Sequence, residues 1–293
     1  MKVGLIDVDS KIPNLALMKL STFYKSEGHN VDLYSPLFQF QYDLIFASKI
    51  FKFTKNKYIP KNAILGGSGY NLNSKLDSNI EHLYPDYSLY NCDYALGYIT
   101  RGCNNSCPFC IVWKKEGSLH KHASLQEFWK DQEKLMLLDN SLTDYLYAEK
   151  ELKQIRDLGI RLNLTQGFNI RTITLKIAKI LSEIKLWKNK QWYIAWDNIH
   201  DEKKVFDGIK ILNNAGIKNW KIMCYVLVGF NTSMKQDLYR INKLEIIGID
   251  PFVMPYIKNN YTQILTRWCN RKQLFKTNQN FIEYFKIKRR AEP

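Results

Sequence analysis

Three cysteines stand close together in the stretch TRGCNNSCPFCIVWKKEG, residues 100–117: Cys103, Cys107 and Cys110, spaced CxxxCxxC. Thiolates are soft ligands that suit zinc or iron–sulfur clusters. A structural zinc site is closed by four ligands, usually from two CxxC knuckles or from cysteines with paired histidines. This chain has one such knot of cysteines. Cys92 lies eleven residues upstream of Cys103, and His120 and His122 lie downstream, so a zinc site completed by Cys92 is one reading. Apolar packing is another, but Gly102, Asn104, Asn105 and Pro108 make the loop a poor core segment. The third is a four-iron cluster. Such clusters ordinarily take four thiolates, and with three one iron stays open to a small molecule.

Strands and helices must hold this loop in place. Residues 1–91 read as an open α/β unit: KVGLIDV is an apolar run of strand length, and Pro13 opens a helix in which Leu17, Leu20 and Tyr24 recur at helical spacing until Gly28. HNVDLY, YDLIFAS and NAILGGSG continue as strands, so the sheet is expected to be parallel. Ligands on such sheets sit at the carboxyl ends of the strands, where DVDSKIPN and Gly66-Gly67-Ser68-Gly69 fall. From residue 94 the pattern becomes more regular: YALGYI, EKLMLL, IRLNLT, QWYIAW, WKIMCYVLVGF and IDPFVMPY are six strand-like segments with amphipathic helices between them. One helix is expected to open at the capping box Ser124-Leu-Gln-Glu127, and Gly159 and Gly216 each follow a helical stretch. Eight such units would close a barrel; six suggest an open one with its reactive face at the C-terminal ends of the strands. The cysteine loop follows the first of these strands.

The 293 residues are 45% hydrophobic, enough for one large domain or two smaller ones. MKVGLIDVDS reads as a strand rather than a secretory leader, and no run of about 18 apolar residues suggests a membrane span. Six cysteines, three of them clustered, fit reduced thiols in the cytoplasm better than a disulfide framework. Net charge is +15 and unevenly spread. From Lys258 to Arg290 nine Lys/Arg face one acid, Glu283, and Lys49, Lys52, Lys55, Lys57 and Lys61 form a second basic stretch. Such patches suit nucleic acid, a phosphorylated substrate or an acidic protein; solvated lysine-rich faces are the bland alternative.

RGCNNSCPFCIV, with Phe109 before its last cysteine and a strand before the loop, resembles the radical S-adenosylmethionine (radical SAM) superfamily, and its context is similar to the methylthiotransferase and cobalamin-associated branches. The likeness covers most of residues 94–256. It implies a partial (βα)6 barrel at 92–257, preceded by a small Rossmann-like parallel α/β domain at 1–91 and followed by a basic helical extension at 258–293. It implies a 4Fe-4S cluster on Cys103, Cys107 and Cys110, with SAM chelating the open iron. An electron donor such as flavodoxin or ferredoxin would reduce the cluster, SAM would be cleaved to methionine and a 5′-deoxyadenosyl radical, and that radical would take a hydrogen atom from a substrate.

The resemblance also implies SAM contacts. Phe109 flanks the cluster. Asp139, Asn140 and Ser141 stand where the second barrel strand ends in polar groups for the SAM ammonium, although the family's usual Gly-Gly-Glu is missing. Gln166 is placed for a ribose hydroxyl, Arg171 for the SAM carboxylate and Asp197 for ribose or substrate. Gly229 and Met254 fall where relatives approach adenine. Cys224 reads as packing, while Cys269 is either an idle thiol or a hydrogen-atom or methyl carrier. The N-terminal unit is placed like a cobalamin-binding domain but lacks DxHxxG, and residues 1–91 lack the three extra cysteines of methylthiotransferases. It is therefore expected to be a degenerate module that shapes the substrate entrance. Nucleic acid or a phosphorylated metabolite is the favoured substrate class, and a peptide the second. The rival from another class is a zinc-stabilised nucleic-acid-binding protein.

Overall fold

The computed structural model describes residues 1–56, 58–277 and 280–290. Lys57 of the second basic stretch, and residues 278, 279 and 291–293 of the expected extension, lie outside the described residues, as do the side chains of Arg289 and Arg290. The chain is α/β and forms two compact units: residues 1–104 with 111–139, and residues 105–110 with 140–293. No described helix is long and apolar enough to cross a membrane.

In the first unit the elements run β1 (Lys2–Asp7), α1 (Leu15–Ser26), β2 (Asn30–Leu33), β3 (Leu44–Ser48), β4 (Ile64–Gly66), α2 (Ser78–Glu81), β5 (Ala95–Gly97), β6 (Thr100–Arg101), α3 (Val112–Glu116), β7 (His120–Lys121) and β8 (Lys134–Leu137). The first four strands pair in parallel in the order β2-β1-β3-β4. Val3 and Leu5 of β1 share a core with Val31, with Leu17 and Leu20 of α1 and with Ile80 of α2. Burying each such side chain contributes on the order of 1.5–3 kcal/mol. Asn14 caps α1 by accepting the Leu17 N–H at 3.3 Å.

β5 and β8 are parallel neighbours. Tyr87 ties them to the residues before them: its hydroxyl donates to Phe128 O and accepts from Leu96 N at 3.0 Å. Residue 91, the boundary expected from sequence, therefore lies inside this unit. The capping box at Ser124 is present, but it opens a single 3-10 turn, Leu125–Glu127, rather than the expected amphipathic helix. Only six residues separate Glu127 from β8, and Trp129 spends its indole N–H on Gln132 O at 2.8 Å, which turns the chain back at once.

The second unit contains α4 (Ala148–Asp157), β9 (Arg161–Leu164), α5 (Leu175–Glu183), β10 (Trp192–Ala195), α6 (Glu202–Asn214), β11 (Ile222–Val228), α7 (Met234–Ile246), β12 (Asp250–Pro255), α8 (Asn260–Asn270), α9 (Lys272–Phe275) and α10 (Phe281–Arg290). β10, β11 and β12 form a parallel sheet in that order. β11 alternates cleanly, with Ile222, Cys224, Val226 and Val228 buried. α8 packs on β12 through Ile264, Leu265, Trp268 and Cys269. Asn270 completes the strand's edge: it accepts from Val253 N at 2.7 Å and donates to Val253 O at 3.0 Å. Two backbone groups that a neighbouring strand would otherwise pair are thus satisfied by one side chain.

Candidate functional site

The neck of the cysteine loop belongs to the first unit. β6 and β7 pair antiparallel, Thr100 with Lys121 and Arg101 with His120, and so clamp the chain on both sides of the loop. Gly102 has φ +79°, and a Cβ there would stand 2.2 Å from Ser118 O, so the loop's first turn requires glycine. Cys103 N donates to Gly117 O at 3.1 Å, Gly102 N to Glu116 Oε2 at 3.1 Å, and Leu119 N to Asn104 Oδ1 at 3.0 Å.

Asp139, expected to bind the SAM ammonium, is bonded to this neck. It is fully buried, and its carboxylate accepts Ile99 N at 3.1 Å together with the Thr100 N–H and, at 2.7 Å, the Thr100 hydroxyl. Three hydrogen bonds thus run from the chain that leads into the loop to this one carboxylate. Burial pushes its pKa up to about 6, with the Thr100 and Ile99 hydrogen bonds pulling the other way.

Arg101 joins the neck to a charged cluster. Its guanidinium reaches Glu116 Oε1 at 3.1 Å and Glu81 Oε1 at 3.0 Å, and lies 4.0 Å from the centre of the Tyr98 ring. Glu81 also takes His122 Nε2 at 3.2 Å and the ammonium of the buried Lys19 at 3.5 Å. Burial by itself would raise the Glu81 carboxyl, but His122, Lys19 and Arg101 outweigh it and hold it at about 2. Lys19 moves down, because burial outweighs Glu81 there. Neither Glu81 nor Lys19 was expected at the site. Their sequence neighbourhoods carry no motif, and only the fold joins residues 62 positions apart.

The tip of the loop, residues 105–110, belongs to the second unit. Cys110 N donates to Cys107 O at 3.0 Å, a tight turn that Pro108 favours. Phe109 sets its edge on Phe230 with ring centres 5.3 Å apart, and Phe230 does the same to Tyr256 at 4.7 Å. The structure thus joins Phe109 to the chain that follows Gly229 and β12. Gly229 has φ +75° and is half-buried, and Met254 is exposed.

A second set of expected residues meets through a polar chain in the same unit. Ser141 donates to Asp144 Oδ2 at 2.8 Å, and Asn169 Nδ2 reaches the same oxygen at 3.0 Å. Asn169 Oδ1 in turn accepts Arg171 Nε at 3.1 Å, and Arg171 pairs with Asp201 at 3.0 Å. Arg171 is therefore engaged by Asn169 and Asp201, not presented as a bare fork. Gln166 is exposed and Asn140 half-buried. Asp197 accepts Leu227 N at 3.1 Å, and burial raises its carboxyl above the usual range.

Beneath lies Arg240 on α7, wholly buried with its partner Asp237 at 2.7 Å. It donates to the carbonyls of Trp196, Asp197 and Leu227, pinning the C-terminal ends of β10 and β11 together. Asp144, Asn169 and Arg240 were missed from sequence. Ser141-x-x-Asp144 is a capping-type spacing, and Asp237 and Arg240 stand three apart on a helix; both were visible signals.

Cys224 is fully buried and its thiol is pushed well up by burial, in keeping with packing. Cys269 is buried too, points at Pro251 O, and burial pushes it up to about 12; that makes it a packed thiol rather than a carrier. Cys92 donates to Tyr94 O at 3.3 Å.

Cys103, Cys107 and Cys110 are all half-buried, and residues 103–110 include no carboxylate. That donor set fits a soft, thiophilic group such as an iron–sulfur cluster. Among the described residues, no three or more His, Cys, Asp or Glu side chains are gathered to hold a metal ion. The chemistry of the loop fits the cluster. No protein-family model matches the chain, and no curated protein matches it either.

Proposed function

We propose that the chain is a cytoplasmic radical SAM enzyme. The observation that supports this most is the cysteine loop itself: three half-buried thiols at CxxxCxxC spacing, on a loop whose neck is clamped by β6 and β7 and stapled by Asp139. In this reading Cys103, Cys107 and Cys110 hold a 4Fe-4S cluster, and β5, β8, β9, β10, β11 and β12 are the six strands of a partial barrel. With SAM bound, the cluster would supply reductive cleavage of the sulfonium and a 5′-deoxyadenosyl radical. An electron donor such as flavodoxin or ferredoxin would feed it.

The chain's own residues orient and exclude. Asp139 and Gly102 set the path of the loop, and the Arg101–Glu81 pair anchors it. Phe109, between Cys107 and Cys110 in sequence, packs edge to face with Phe230, and Phe230 with Tyr256, which holds the loop tip. The Ser141–Asp144–Asn169–Arg171 chain offers donors and acceptors for the polar parts of SAM, with Arg171 exchanging Asp201 for a carboxylate of the ligand.

The test is anaerobic purification followed by iron and sulfide analysis. About four of each per chain are expected. Addition of dithionite and SAM should release 5′-deoxyadenosine. Colourless protein that carries zinc, or an intact cluster that yields no 5′-deoxyadenosine, would overturn the reading. Cys103→Ala, Cys107→Ala and Cys110→Ala should each abolish iron retention, whereas Cys269→Ala should not.

A further inference from the structure

From Leu44 to Leu76 the chain carries six lysines and no acidic residue. Within this stretch, just after β3, aromatic and basic residues interleave as KIFKFTK, and the aromatics are not in the core. Phe51 is 42%, Phe53 73% and Tyr58 83% exposed. Phe51 and Phe53 lie ring over ring, with centres 5.3 Å apart and planes 23° from parallel. Lys52, Lys55 and Lys61 are exposed around them.

The segment is held in place. Asp9, in the loop after β1, accepts the backbone N–H groups of Ile50 at 2.7 Å and Phe51 at 3.0 Å. The buried Lys49 reaches Asn56 Oδ1 at 2.8 Å, and its ammonium lies 4.2 Å from the centre of the Tyr70 ring. The turn Gly66–Gly69 packs on the Lys49 backbone so closely that a Cβ on Gly67 would stand 2.4 Å from Lys49 O. A folded protein gains nothing by pinning a loop so that it presents large rings to water, unless the rings meet something. The location is the carboxyl end of parallel strands, where such sheets take their ligands.

We propose that Phe51, Phe53 and Tyr58, with Lys52, Lys55 and Lys61, form a docking surface for single-stranded nucleic acid. Exposed rings on a pinned segment are stacking platforms for unstacked bases, and lysines between them neutralise the phosphates. Duplex bases are already stacked and cannot use the rings, so the surface selects single strands. The two carboxylate oxygens of Asp9, in the loop after β1, are spent on the backbone N–H groups of Ile50 and Phe51. This docking does not depend on the chemistry of the cysteine loop and can be measured without any cluster.

Fluorescence anisotropy with a labelled pyrimidine-rich strand of about 20 nucleotides, long enough for several stacking contacts, tests it on the full chain. DNA and RNA strands, the matching duplex, and phosphatidylserine vesicles are compared. The single strand should bind more tightly than the duplex. Phe53→Ala and Tyr58→Ala should each weaken binding by about tenfold, and Phe53→Trp should retain it. Lys52→Gln with Lys55→Gln should flatten the slope of log affinity against log salt by about 1.4, two phosphate contacts' worth. All these side chains are exposed, and circular dichroism of each variant is the control that it still folds. Unchanged affinity in Phe53→Ala and Tyr58→Ala, equal binding of duplex, or binding of vesicles alone would overturn the proposal.

Discussion

The carboxylate of Asp139 holds Thr100 twice, through its backbone N–H and through its hydroxyl at 2.7 Å. The end of one strand is thereby fastened to the start of the loop's neck, three residues before the first clustered cysteine. Burial raises the Asp139 pKa from 3.8 to about 6. The folded state then holds this proton more tightly than the unfolded chain. Below about pH 4 both states are protonated and the effect is absent; between about pH 4 and 6 stability falls as pH rises; above that it is flat. The change is on the order of 3 kcal/mol. Urea midpoints of the wild type, measured against Asp139→Asn across pH 3 to 8, should show this step. Two parallel profiles would refute it.

Glu81 has the opposite sign. Its pKa is held at about 2, below its usual 4.5, because His122, Lys19 and Arg101 outweigh burial. Its contribution is fully present above about pH 4.5 and disappears as pH falls toward 2. Glu81→Gln should lose on the order of 3 kcal/mol at neutral pH and should approach the wild type in acid. Thermal midpoints at pH 7 and pH 3 measure the difference. A gap of the same size at both would show that the charge has no part in it.

Gly102→Ala should break the neck of the loop. Its φ of +79° disfavours any side chain, and the added Cβ would press on a backbone carbonyl that cannot move away alone. A loss of more than about 2 kcal/mol is expected, together with faster alkylation of Cys103. Alkylation at the wild-type rate would mean that the β6–β7 clamp tolerates the change.

Arg240→Met should cost about 3–5 kcal/mol, because it strands the buried Asp237 and frees three carbonyls at the ends of β10 and β11. Replacing both partners, Asp237→Leu with Arg240→Met, should restore part of this by removing the orphaned charge. Chemical denaturation of the two variants decides it. If the double variant is less stable than the single one, Asp237 is worth more through the Tyr261 hydroxyl that donates to it at 3.0 Å than its unpaired charge costs.

Many of the elements were legible because their signals are local. Alternation marked β11, helical spacing marked α1, and Gly159 and Gly216 stand where their helices end, each with a positive φ. The helix expected at Ser124 failed for an equally physical reason. A capping box satisfies the first N–H groups of a turn but does not supply the further turns of apolar face that sustain a helix. Asp139 was legible as a polar residue at a strand end, but not as one bonded to Ile99 and Thr100. A sequence states which donors and acceptors a residue owns, and only the fold says which of them are taken.

The sequence by itself determined the chemistry on offer: three thiols at a fixed spacing, a strand before them, and a basic chain with lysines and aromatics interleaved after β3. Spacing along a chain is covalent and needs no fold to be read. The tertiary structure decided which charges meet. Glu81 gathers Lys19, Arg101 and His122 from three separate segments, and Arg240 closes on carbonyls of two strands. It also decided that Phe53 and Tyr58 face water while Trp196 and Trp268 do not. Burial depends on what packs from elsewhere in the chain, and aromatic residues of nearly equal hydrophobicity carry no local mark of which side they will face.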